Sequence, residues 1–81
     1  MEKMTGKEVY KLASELTGKE VNNLVNNWMV DCSKSYELYK SLVDLGDSRE
    51  LACASVIQDK FNNPFKYDGT WGLTYENAYY K

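Results

Sequence analysis

Eighty-one residues, 43% hydrophobic and 27% charged, describe one ordinary globular domain and leave no room for a second. A chain this short buries only about 60% of the surface that it exposes when unfolded, so a large interior active-site cavity is hard to support. Ten basic and twelve acidic residues are well mixed, and histidine, the commonest general base and metal ligand, is absent.

Residues 5–9 read Thr-Gly-Lys-Glu-Val, and residues 17–21 repeat the same five. Each copy is a Thr-x-x-Glu capping box, which satisfies the orphan amide donors at a helix start. A first helix is predicted over 6–16, with Val9, Leu12, Ala13 and Leu16 on one apolar stripe and Gly18 left-handed just past its end. A second, over 18–30, sets Val21, Leu24, Val25, Trp28 and Met29 on the buried side, with Trp28 packed against the fourth helix. Asn22, Asn23, Asn26 and Asn27 take the opposite face.

Asp31 to Ser35 reads as a polar connector with Ser33 and Ser35 as candidate N-caps. A third helix is predicted over 36–45, with Leu38, Leu42 and Leu45 on one side and Tyr36, Tyr39 and Val43 on the other. Glu37, Lys40, Ser41 and Asp44 take its solvent face, and Gly46 ends it. Asp47-Ser48-Arg49-Glu50 reads as a third capping box, opening a fourth helix over 48–62. Its apolar residues Leu51, Ala52, Cys53, Ala54, Val56, Ile57 and Phe61 surround nearly the whole circumference, which suits a central position. Asn62-Asn63-Pro64 stops it.

The last 17 residues hold six of the eleven aromatics, Phe65, Tyr67, Trp71, Tyr75, Tyr79 and Tyr80. Asp68-Gly69 between them signals a hairpin over 65–75, against an irregular tail that plugs rings into helix grooves. The expected fold is therefore mainly α, one compact bundle of about four short helices with an aromatic-rich C-terminal tail or small hairpin.

Little in the sequence carries chemistry. No P-loop, Gly-rich dinucleotide turn, zincin motif or nucleophile elbow is present. Without histidine, two isolated cysteines make neither a zinc site nor a Cys–His pair. The acidic pairs Asp44/Asp47 and Glu15/Glu20 sit at helix ends, where capping explains them. Cys32 reads as an inert, partly buried thiol and Cys53 as core. The expectation is a non-enzymatic chain with no catalytic residue, metal or cofactor.

Charge and hydropathy set the compartment and the partners. Only Arg49 among the ten cations is an arginine, and no basic cluster exists, so nucleic acid is a poor partner. No apolar run approaches the ~18 residues that cross a bilayer, and the N-terminus has no signal-peptide core. The expected location is the cytoplasm, with both thiols reduced. Two features suit binding: the Asn22, Asn23, Asn26 and Asn27 face, and the tail rings Trp71, Tyr75, Tyr79 and Tyr80, which provide large contact area at low entropy cost.

Ser14-Glu15-Leu16-Thr17-Gly18, followed by Val21 and Val25, resembles a segment of small uncharacterised proteins from enterobacterial phages and prophages. Ala54 to Phe61 is loosely similar to that family's later helix, which ends in Lys-Phe as Lys60-Phe61 does. The likeness covers about a quarter of the chain; the family's alanines after the glycine are Lys19 and Glu20 in this sequence. It implies a phage accessory protein, to be found in the host cytoplasm, and no particular activity. The leading expectation is a phage-encoded interaction protein that binds a host protein, such as a defence component, and inhibits or redirects it. The alternative is an oligomeric module that sequesters a small nucleotide-like ligand with Lys and Tyr side chains. Self-association is compatible with both.

Overall fold

The computed structural model describes residues 3–63. They form a mainly-α bundle: α1 (Gly6–Glu15), α2 (Gly18–Asp31), α3 (Ser33–Asp44) and α4 (Arg49–Asn62), with no strand among the described residues. The expected hairpin over 65–75 lies outside them, as do Trp71, Tyr75, Tyr79 and Tyr80.

The five-residue repeat does what its spacing predicts. Thr5 accepts a hydrogen bond from the Glu8 amide while the Glu8 carboxylate accepts one from the Thr5 amide, and Thr17 and Glu20 repeat the exchange. The apolar residue before each Thr, Met4 or Leu16, and the Val four positions after it, Val9 or Val21, are all buried. These are the two positions of a hydrophobic staple, which fixes the angle at which the chain enters the helix. Leu16 is extended (φ −73°, ψ 131°), so α1 ends one residue earlier than expected.

Gly18 is not the left-handed cap that its place after α1 suggested. It is the first residue of α2, and the one positive φ among the described residues belongs to Gly46, at 110°. There the Asp47 amide donates to the Leu42 carbonyl (3.1 Å) and the Gly46 amide to the Val43 carbonyl (3.0 Å). That pair of bonds is a Schellman ending, which needs a residue able to turn left-handed.

Three further boundaries differ from expectation. The connector over 31–35 shrinks to Cys32 alone, which ends α2 and starts α3 with no side-chain cap. Ser33 opens the helix, and Ser35 is fully buried, sharing a 3.2 Å hydrogen bond with the Cys32 thiol. Burial of both small polar groups as a pair removes the need for a hydrated loop. The third capping box does not form: Ser48 is the N-cap and accepts from the Leu51 amide at 3.1 Å, which leaves Asp47 outside the helix.

As its apolar circumference suggested, α4 packs against each of the other three helices, and α2 also packs on α3. Ala52, Cys53 and Ala54 are fully buried, and such small side chains let neighbouring helices approach closely. Met4, Val9, Leu12, Leu16, Val21, Leu24, Val25, Trp28, Cys32, Tyr39, Val56 and Ile57 complete the core, with Ala13, Tyr36, Leu38, Leu42, Val43 and Phe61 half-buried around it. Trp28 is 0% exposed, its ring centroid 6.2 Å from that of Tyr39 at a tilted 52°.

Candidate functional site

The buried stripe of α2 consists of Val21, Leu24, Val25, Trp28 and, at its end, Cys32. Met29, expected on that stripe, is 55% exposed instead. It lies at the stripe's edge in the last turn, and Cys32 occupies the central position as the chain turns into α3. Leu45, expected inside α3's apolar arc, is 82% exposed because α3 stops at Asp44 and Leu45 caps it from outside.

The outward face of α2 is thereby defined. Asn26 sits with Asn22 and Asn23 one turn behind it and Met29 and Val30 one turn ahead, since residues three and four apart are neighbours on a helix surface. All five are exposed, Val30 by 83%, while Asn27 is half-buried at the edge of the strip. Between Glu20 and Asp31 no residue of α2 is charged, in a chain that is 27% charged. The amides offer donors and acceptors, and the two apolar side chains offer area to bury. Met29 and Val30 are the members that sequence reasoning left out; only knowing where α2 ends tells which side chains its last turn leaves uncovered.

Asn22 is the one asparagine of the strip with a described side-chain bond. Arg49 Nη2 donates to Asn22 Oδ1 at 2.7 Å, and Arg49 Nε donates to Tyr39 Oη at 2.9 Å. One exposed guanidinium therefore joins the start of α4 to both α2 and α3, and its hydrogen bond to Tyr39 raises its pKa above the ordinary value. Asn22 is thus partly a structural residue, which leaves Asn23 and Asn26 as the strip's exposed amides without a bond of this kind.

The rest of the described surface holds less chemistry. A shallow, open depression on α3 is lined by Glu37, Lys40, Ser41 and Asp44. The Lys40 ammonium lies 5.6 Å above the Tyr36 ring. Among the described residues no three His, Cys, Asp or Glu side chains converge as metal ligands would. None of their helices is long and apolar enough to cross a membrane. Both cysteines are free and buried, and burial pushes the Cys53 thiol up to about 12. Such a thiol is a poor nucleophile at neutral pH, because the thiolate is the reactive form. Compared with protein families, with curated proteins and with solved structures, the chain matches none.

Proposed function

We propose that the protein is a small, non-enzymatic interaction protein, phage-encoded, that binds a host protein in the cytoplasm and inhibits or redirects it. The observation that supports this reading is the outward face of α2, where Asn23, Asn26, Met29 and Val30 form an exposed, uncharged strip. Depletion of charge with some apolar area marks the centre of protein contacts. The resemblance around Ser14 to Gly18 supports the phage origin. The small-ligand alternative gains nothing from the depression on α3, because Glu37 and Asp44 set two carboxylates beside the single ammonium of Lys40 and disfavour a phosphate.

The test is capture from bacterial lysate with the immobilised full chain, alongside a variant carrying Asn26→Lys and Val30→Glu. Both substitutions fall on exposed positions, so the variant should melt within a few degrees of the parent. One stoichiometric host protein retained by the parent and lost by the variant is the expected result. Equal capture by both, or a co-purifying small molecule in place of a protein, overturns the proposal.

A further inference from the structure

We draw no further inference here: the strongest candidate, the outward face of α1 on which Lys7, Tyr10 and Lys11 lie exposed, is an unpartnered helix face, and nothing in the structure shows what covers it.

Discussion

Trp28 carries two opposing contributions on one side chain. Its ring is fully buried against Tyr39, yet its Nε1–H has no hydrogen-bond partner among the described residues. Removing the ring opens a cavity, so Trp28→Ala should cost roughly 3–5 kcal/mol. That is a large share of the about 4–12 kcal/mol expected for a domain of this length. Trp28→Phe keeps part of the ring and removes a buried donor whose desolvation costs about 1–3 kcal/mol. Urea denaturation should therefore place Phe much nearer the parent than Ala; equal losses would mean that the indole nitrogen is satisfied. Cys53 gives the second prediction at this scale. Its pKa rises from 9.0 to about 12 on folding, so the folded state holds a proton that the unfolded state releases between those values. The stability that this thiol contributes is complete below pH 9 and is lost as pH rises towards 12, with a slope of about 1.4 kcal/mol per pH unit. Comparing the parent with Cys53→Ala at pH 8, 9.5 and 10.5 isolates that slope from the titration of Lys and Tyr. The difference between the two proteins should shrink as pH rises, and a constant difference would refute the assignment.

Helix starts and stops show how local the legible information was. The two Thr boxes could be read directly because every participant lies within four residues, and Thr5→Ala and Thr17→Ala should each cost about 1 kcal/mol in a thermal melt. Glycine roles were harder, because Gly18 and Gly46 both follow a helical pattern and only the path of the chain separates them. A methyl group meets nothing within 4 Å at either position, so only the backbone decides. Gly46→Ala should cost about 1 kcal/mol or more at its positive φ, whereas Gly18→Ala should stabilise by about 0.5 kcal/mol through the unfolded chain. Opposite signs in matched denaturation curves are the expected outcome; two losses would mean that the turn after α1 also needs a glycine. The one-residue link at Cys32 was illegible for a related reason. Asp-Cys-Ser-Lys-Ser has the composition of a loop, and the burial of Ser35 beside the Cys32 thiol depends on neighbours that the local sequence does not name. Within the candidate site, the Asn face followed from helical spacing, while the exposure of Met29 and Val30 and the engagement of Asn22 depended on where α2 ends and where α4 begins.

Across the molecule, α4 acts as the axis, and hydrogen bonds fasten it at both ends. At its start, exposed Arg49 reaches Asn22 and Tyr39. At its far end, Asn62 pairs with the backbone of Met4 in both directions. The Met4 amide donates to Asn62 Oδ1 at 2.7 Å, and Asn62 Nδ2 donates to the Met4 carbonyl at 3.0 Å. Gln58 adds a longer bond of 3.3 Å to the same carbonyl. These contacts join residues 54 and 58 positions apart, hold the segment before α1 against α4, and keep Met4 buried. Of the bonds at the two ends only that from Arg49 to Asn22 is exposed, and solvation decides what each is worth. When an exposed hydrogen bond is deleted, water replaces it; when one partner is removed from a less accessible pair, the other loses its bond without full compensation. Asn62→Ala leaves the Met4 amide without its described acceptor, so it should cost about 1–3 kcal/mol. Gln58→Ala should cost less than half as much, because Asn62 still serves the carbonyl. Arg49→Ala should also cost less, since one of its two bonds, that to Asn22, is exposed, and a hydroxyl left by the other can rotate towards water where an amide cannot. Amide hydrogen exchange supplies a local readout that overall stability does not. Asn62→Ala should bring the Met4 amide close to the rate of a free chain, and the other two variants should leave it protected. Equal stability losses for Asn62→Ala and Arg49→Ala, with the Met4 amide still slow to exchange, would show that burial of the Met4 side chain alone holds the N-terminal segment in place.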